Sequence, residues 1–197
     1  MQQYICDNHW LQLMVGDCFK SGEVSGVRME DVLEKAKSIA KFSHQISVAL
    51  RTLKEAARNA NLKFTKLKNP NVTRWNSAWQ CMESLLKNKA VLDIVFEEEE
   101  GEEWTSRKLS SSEWKLLQGA VEVLRFVQVV TKSWEAEATP TVNLVISELY
   151  TLETKLKDFI ADSSKSRSVI LKLKTLNLSN FLVLEWELVL LSCYYPI

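Results

Sequence analysis

The first residues whose types and spacing could do chemistry are Cys6 and His9, which are spaced as in half of a zinc site. A structural zinc ion needs about four ligands, and no second Cys/His pair follows downstream, so no metal site is predicted. The chain has only two histidines, His9 and His44, and no glycine-rich phosphate loop. Neither a Ser/His/Asp arrangement nor a nucleotide-binding motif is indicated, and no residue is predicted to be catalytic.

The charges are balanced overall but unevenly distributed along the chain. The 197 residues include 25 basic and 25 acidic side chains. The stretch Arg51–Lys89 has nine basic residues and two acids, whereas Asp93–Glu103 has seven acids and no base. A basic stretch with aromatic residues can bind a phosphate backbone. The alternative, which the sequence leaves open, is a solvated helix face followed by a solvated loop.

The chain that positions these candidate residues is predicted to be mainly helical, because five glycines and three prolines are too few for the turns that many strands would need. Apolar residues recur at three- and four-residue steps and predict helices over Met29–Asn59 and Trp75–Phe96. Leu62–Asn76, with near-alternate apolar residues before Asn-Pro-Asn, predicts a short strand, a turn and a second short extended piece. The acidic run Glu97–Glu103 is predicted to be a loop.

Two helix starts are predicted further along the chain. Ser110 and Glu113 have the spacing of a capping box, in which each side chain satisfies a free backbone N–H. Thr139 and Pro140 predict a second cap, before an apolar stripe over Val145–Phe159. The four cysteines are widely spaced and predicted to be free thiols. No apolar stretch is long and uncharged enough to predict a membrane span.

Several motifs resemble the hAT superfamily of DNA transposases and the zinc finger BED proteins derived from it. They occur in the family's order, from about residue 4 to about residue 160. The matching segments are Cys6-x-x-His9-x-Leu11-x-Leu13, Thr73-Arg74-Trp75-Asn76-Ser77, Leu109-Ser110-x-x-Glu113-Trp114, Thr131-x-x-Trp134 and the stretch from Pro140 to Leu156. Each motif alone is weak, but together they are a fairly specific set.

The resemblance implies a fold that composition and periodicity do not predict. The family's catalytic core is RNase H-like and contains a large all-helical insertion. By this likeness, residues 1–75 are the later part of an RNase H-like α/β core, and residues 76–165 belong to the helical insertion. Residues 166–197 depart from the family pattern and are interpreted as a divergent or truncated tail.

The resemblance also implies a function, namely cut-and-paste DNA transposition in the nucleus. Such enzymes hold two divalent metal ions, such as Mg²⁺, with two Asp and one Glu. In the family, both Asp precede the Cys-x-x-His helix and the Glu follows the insertion. The chain is therefore interpreted as an internal fragment that binds DNA but is catalytically incomplete and holds no cofactor itself.

Four residues are candidate nucleic-acid contacts by the same resemblance. Trp75 is expected to stack on a base displaced from the DNA, because an indole can stabilise an unpaired base. Arg74 suits a phosphate, Asn76 belongs to the same motif, and His9 lies on a helix near the catalytic region. From the residues alone, the favoured interpretations are a core Trp, a surface Arg and a hydrogen-bonded helix His.

Two further hypotheses stay open at this stage. The helices could form a protein–protein interaction or dimerisation module, for which exposed Trp104, Trp114 and Trp134 would be suited. An active nuclease or transposase is the third hypothesis, if the chain belongs to a longer polypeptide. The expected partners are DNA and a further copy of the chain, with no membrane and no small-molecule substrate.

Overall fold

The computed structural model describes residues 12–13, 15–17, 19–20, 22–24, 26–70, 75–99, 101–136, 147–148, 150–152, 154–155 and 158. Within these residues nearly all regular structure is helical, which confirms the mainly helical prediction. The strands β1 (Glu23–Val24) and β2 (Val27–Arg28) pair antiparallel around a turn that contains Gly26. Gly26 has a φ of 80°, a left-handed conformation that glycine adopts without the strain of a side chain.

The strand pair leads directly into a set of packed helices. They are α1 (Met29–Gln45), α2 (Ser47–Asn59), α3 (Trp75–Lys87), α4 (Lys89–Glu98), α5 (Glu102–Thr105) and α6 (Ser111–Ala136). Helix α1 packs against α2, α3 and α6, while α4 packs against both α2 and α3. One hydrophobic core joins residues on both sides of Trp75, so packing alone does not mark the predicted domain division there.

The centre of the core lies between α1 and α3. Four- and three-residue spacing places Val32, Ala36 and Ile39 on one face of α1, and all three are fully buried. On α3, Met82 and Leu85 are equally inaccessible. The Cys81 thiol on α3 lies 3.8 Å from the Ala36 carbonyl on α1, so the two helices pack closely.

The prediction of one helix over Met29–Asn59 is wrong, because the chain breaks at Ile46. Ile46 has extended backbone angles, φ −109° and ψ 110°, between α1 and α2. The β-branched Ile46 and Val48, with Ser47 between them, have only moderate helix preference. Tertiary packing then decides, because the break turns the small apolar face of α2 towards α4.

The helix predicted over Trp75–Phe96 is also interrupted, here at Asn88 between α3 and α4. The strand predicted after Leu62 is wrong, because residues 62–70 have no regular secondary structure. The Asn88 side chain binds both backbone groups of Thr65 in this segment and takes the place of a strand partner there. Residues 71–74, which include the rest of the predicted extended pieces, lie outside the described residues.

The acidic run is not the loop that its charge predicts. Glu97 and Glu98 end α4, and Glu102 and Glu103 begin α5. Helix α5 is held by Trp104, whose side chain is 5% exposed. The indole packs edge-on against Phe42 and Phe96, with ring centroids 5.0 Å and 6.0 Å away. Aromatic burial therefore orders a segment that repulsion between like charges would otherwise open.

The predicted capping box at the start of α6 is confirmed. The backbone N–H of Ser110 donates to Glu113 Oε2 at 2.6 Å, and the N–H of Glu113 donates to Ser110 Oγ at 3.2 Å. Lys35 Nζ on α1 donates to Glu113 Oε1 at 2.7 Å, which ties the cap to the neighbouring helix. Burial alone would raise the pKa of Glu113, but the hydrogen bonds from Lys35 and Ser110 outweigh it and lower the pKa.

The last predicted helix is only partly within the described residues. Thr139 and Pro140, the predicted cap, lie outside them. The residues described between 147 and 158 are helical, and Leu152 from the predicted apolar stripe is 1% exposed. Ser133 donates a hydrogen bond to Glu148, which joins this stretch to α6.

Candidate nucleic-acid interface

The exposed face of α2 is basic. Arg51, Lys54 and Arg58 follow one another at steps of three and four residues, so they lie on one side of the helix. All three are exposed, whereas Leu53 and Ala56 on the opposite side are buried. Burial of the small apolar face against α4 therefore forces the cations towards solvent.

The segment that follows α2, residues 62–68, is fixed to the fold by the side chain of Asn88. Asn88 Oδ1 accepts from the backbone N–H of Thr65 at 3.0 Å, and Asn88 Nδ2 donates to the Thr65 carbonyl at 2.8 Å. The same Nδ2 also donates to the Ser84 carbonyl at 2.7 Å. Asn88 is 1% exposed, so these bonds are protected from competition with water.

Two more side chains and one apolar anchor complete the attachment. Ser84 Oγ accepts from the backbone N–H of Lys68 at 2.9 Å. His44 Nε2 lies 2.7 Å from the Leu67 carbonyl, which can only accept, so this nitrogen carries the proton. The Leu67 side chain is 1% exposed and points into the core. The lysines at 63, 66 and 68 are consequently left on the outside of the segment.

The cations of α2 and of this segment form the basic surface, defined as Arg51, Lys54, Arg58, Lys63, Lys66 and Lys68. No ion pair joins any of them to an acid within the described residues. Other cations do have acidic partners, such as Arg28 with Asp31 and Lys37 with Glu34. Exposed cations that are close in sequence and have no acidic partner among the described residues retain their field and can attract an anionic partner.

Two lysines of the basic stretch that the sequence indicates have acidic partners in the structure. Lys87 pairs with Glu83 at 2.9 Å, and Lys89 pairs with Asp93. The Lys89 ammonium also lies 5.1 Å from the centre of the Trp114 ring, as in a cation–π contact. Both lysines are thus largely neutralised locally and do not belong to the basic surface.

The motif residues that are predicted to contact DNA do not belong to the basic surface. Trp75 is 4% exposed and belongs to the core, and its backbone N–H donates to Gln12 Oε1 at 2.6 Å. Asn76 is half-buried, and its Oδ1 is buried without a hydrogen-bond partner. Arg74 and His9 lie outside the described residues. Their predicted contacts stay predictions, and base stacking by Trp75 would require its indole to leave the core.

The tryptophans expected on an interaction surface are buried instead. Trp104 is 5% exposed and Trp114 is 6% exposed, so their predicted exposure is wrong. The reason is packing: Trp104 fills the space beside Phe42, and the guanidinium of Arg107 covers that phenyl ring at 4.4 Å. The side chain of Trp134 lies outside what the structure describes.

No metal-binding cluster stands out among the described residues. They contain no group of three or more His, Cys, Asp or Glu side chains placed to hold an ion. None of the helices described is long and apolar enough to cross a membrane. Cys81 is a free thiol in the core, and burial raises its pKa to about 12, so it is unreactive as a nucleophile.

Sequence reasoning found the cations but missed what holds them in place. The amide of Asn88 and the hydroxyl of Ser84 gave no signal, because a single polar residue in an amphipathic helix is ordinarily solvated. An Asn at a possible helix break was the only hint, since Asn has low helix preference. The pairing of Lys87 with Glu83 at four-residue spacing was available from the sequence.

The packing and the basic surface together define a mainly helical domain with one continuous core. The chain matches the family model described as the ZBED1 RNase-like helical domain over residues 5–123. This match covers more than half of the chain, and the protein belongs to that transposase-derived family. The matched region contains Trp75, the basic surface and every helix from α1 to α5. No curated protein and no solved structure matches the chain.

The family assignment confirms the predicted relationship to transposase-derived zinc finger BED proteins. The family match does not confirm the finer prediction of an RNase H-like α/β core in residues 1–75. The described residues contain a sheet of only two short strands, β1 and β2. The domain boundaries at residues 75 and 165 likewise stay predictions.

Proposed function

We propose that this domain is a transposase-derived module of a nuclear protein that binds DNA through the basic surface. The observation that carries the proposal is the set of exposed cations on α2 and residues 62–68, none of which pairs with an acid among the residues that the structure describes. Phosphate groups are the most abundant anions that such a surface meets in a nucleus. Neutralising them releases condensed counterions, which supplies the free energy of binding.

We further propose that residues 5–123 bind DNA without catalysing transposition. By the family resemblance, the metal-binding Asp residues precede this region and the Glu follows the helical insertion. A two-metal reaction needs carboxylates that bridge or hold both ions. The region would then bind nucleic acid beside an active site that other residues supply, or without any active site. A Mg²⁺-dependent strand-cleavage assay with the purified chain should give no product.

The test of binding is a titration of labelled DNA at about 50 and about 200 mM salt. If each cation of the basic surface neutralises one phosphate, affinity should fall about 10³-fold between these concentrations. The variant Arg51→Gln/Lys54→Gln/Arg58→Gln should bind more weakly at low salt. Its salt dependence should shrink to about 40-fold, because half of the phosphate contacts are lost.

A matched control removes the same charge from elsewhere. Lys115, Arg125 and Lys132 are exposed on α6, which packs against α1 and α3. Replacing these three by Gln should leave the salt dependence close to that of the unmodified protein. Equal loss in both triple variants would overturn the proposal, because net charge rather than the basic surface would then govern binding.

Glu55 offers a control of opposite sign. It lies between Arg51 and Arg58 on α2, at four- and three-residue spacing from them, and is exposed. A carboxylate there opposes the approach of a phosphate. Glu55→Gln should therefore tighten binding at low salt, and a weaker complex would count against contact at this face.

The alternative function is a helical interaction or dimerisation module. Burial of Trp104 and Trp114 removes two of the three side chains that suggested it. An exposed Val129 on α6 and an exposed Tyr150 leave some apolar surface that a further copy of the chain could cover. Sedimentation of the chain without DNA tests this hypothesis, which predicts a concentration-dependent oligomer.

A further inference from the structure

We infer that the basic surface is built for the phosphates of one strand of duplex DNA, and not for stacked bases of single-stranded DNA. This inference rests on the proposed DNA-binding function and deepens it. Three features of the surface support it, namely the spacing of its cations, the kind of apolar residues beside them, and the rigidity of the segment that carries the lysines.

The spacing of the α2 cations matches a regular array of phosphates. Arg51 and Arg58 are seven residues apart, which corresponds to about 10 Å along the helix axis. One strand of duplex DNA places about three phosphates over this length of its own axis. With Lys54 between the two arginines, α2 presents three cations over that distance. The densities of positive and negative charge are therefore similar.

The apolar side chains beside the cations are aliphatic. Val48 is 54% exposed at the start of α2, and Leu62 is 39% exposed just after its end. The one aromatic residue among the lysines, Phe64, is half-buried and packs against the core. Proteins that bind single strands stack bases on exposed aromatic rings. The part of the basic surface that the structure describes offers no such ring.

The lysine-bearing segment is held in one conformation rather than left to adapt. Both backbone groups of Thr65 are bound by Asn88, and the N–H of Lys68 is bound by Ser84. A fixed array loses little conformational entropy when it meets an equally regular backbone. A flexible single strand would have to be ordered against it, which costs free energy. Rigidity on the protein side therefore favours the duplex.

The experiment measures the affinity of the purified chain for a labelled duplex and for each of its separated strands. At about 50 mM salt we expect the duplex to bind about tenfold more tightly, with a salt slope near 0.9 per phosphate contact against about 0.7 for a single strand. Equal or tighter binding of the single strand would overturn the duplex inference while leaving the DNA-binding function intact. The absence of salt-sensitive binding to either probe would overturn both.

Two variants separate rigidity from charge. Asn88→Ala releases Thr65 and Ser84→Ala releases Lys68, and both retain every cation of the basic surface. Each should lower duplex affinity several-fold while leaving single-strand affinity unchanged. Ser84→Ala is the milder change and remains informative if Asn88→Ala fails to fold. An unaltered ratio of duplex to single-strand affinity in a folded variant would contradict the role of the fixed segment.

Discussion

Two charged stretches of the chain, the basic residues 51–68 and the acidic residues 97–103, look alike in sequence as runs of solvated charge. In the fold both are ordered, but by different means. The acidic stretch is held through one aromatic side chain, because Trp104 packs against Phe42 and Phe96. In the basic stretch, α2 packs its apolar face against α4, and residues 62–68 are held through polar side chains that bind their backbone, together with the buried Leu67.

This difference has a consequence for function. A backbone held by hydrogen bonds on one side keeps its alternate side chains directed outward, as Lys66 and Lys68 are around Leu67. A helix held by one indole has a fixed position, but fewer contacts hold the rest of its length. The basic stretch is therefore the better candidate for a binding surface of defined shape. A fixed chain loses less conformational entropy on binding, which favours recognition through the charges that it carries.

The largest effect is expected from removing the anchor of the acidic stretch. Trp104→Ala should lower the free energy of unfolding by about 3–5 kcal/mol, because a large aromatic side chain is lost from a packed site. Urea unfolding measures this change, and Trp104→Phe should recover a substantial part of the stability. Duplex affinity of the folded fraction should stay unchanged. A loss below about 1 kcal/mol would mean that the acidic stretch does not depend on its indole.

A smaller effect is expected from the apolar anchor of the basic stretch. Leu67→Ala should cost about 2–3 kcal/mol, at the lower end for a buried leucine, because the segment is also bound by Asn88 and His44. Leu67→Met conserves volume and should cost less than about 1.5 kcal/mol. Equal destabilisation by Trp104→Ala and Leu67→Ala would erase the proposed difference between the two stretches.

Much of the helical framework was predictable, because it follows from local pattern. The apolar stripe of α1 and the capping box at Ser110 and Glu113 each depend on residues within a few positions of one another. The relationship to the transposase-derived family was predictable from motifs that include Thr73–Ser77. Periodicity could not predict the breaks at Ile46 and Asn88, since both depend on which distant surface each helix covers.

The candidate site was predictable in charge but not in geometry. The sequence indicates a basic stretch, and four-residue spacing indicates the pair of Lys89 with Asp93, yet it does not show that Asn88 and Ser84 hold the backbone that carries Lys66. The burial of Trp75 illustrates the same limit. A conspicuous motif residue can contribute its indole to the core, and its exposure is determined by neighbours that are remote in sequence.

The smallest effect concerns Lys35, a cation that does have an acidic partner, in contrast to the basic surface. Its carboxylate partner Glu113 has a pKa below its ordinary value, so this group contributes stability at pH values above its unfolded pKa. That contribution is lost as the pH falls through the folded value. Glu113→Gln keeps one amide oxygen that can accept from the Ser110 N–H in the capping box, and it removes the charge together with the oxygen that accepts from Lys35.

We therefore expect Glu113→Gln to be less stable by about 1 kcal/mol at neutral pH. The difference from the unmodified protein should vanish in acid, where Glu113 is protonated in both the folded and the unfolded state. Unfolding free energies of the two proteins at several pH values measure this convergence. A constant difference at every pH would show that Lys35 and Glu113 contribute through shape alone. The attraction between the charges of Lys35 and Glu113 would then contribute nothing to the free energy of unfolding.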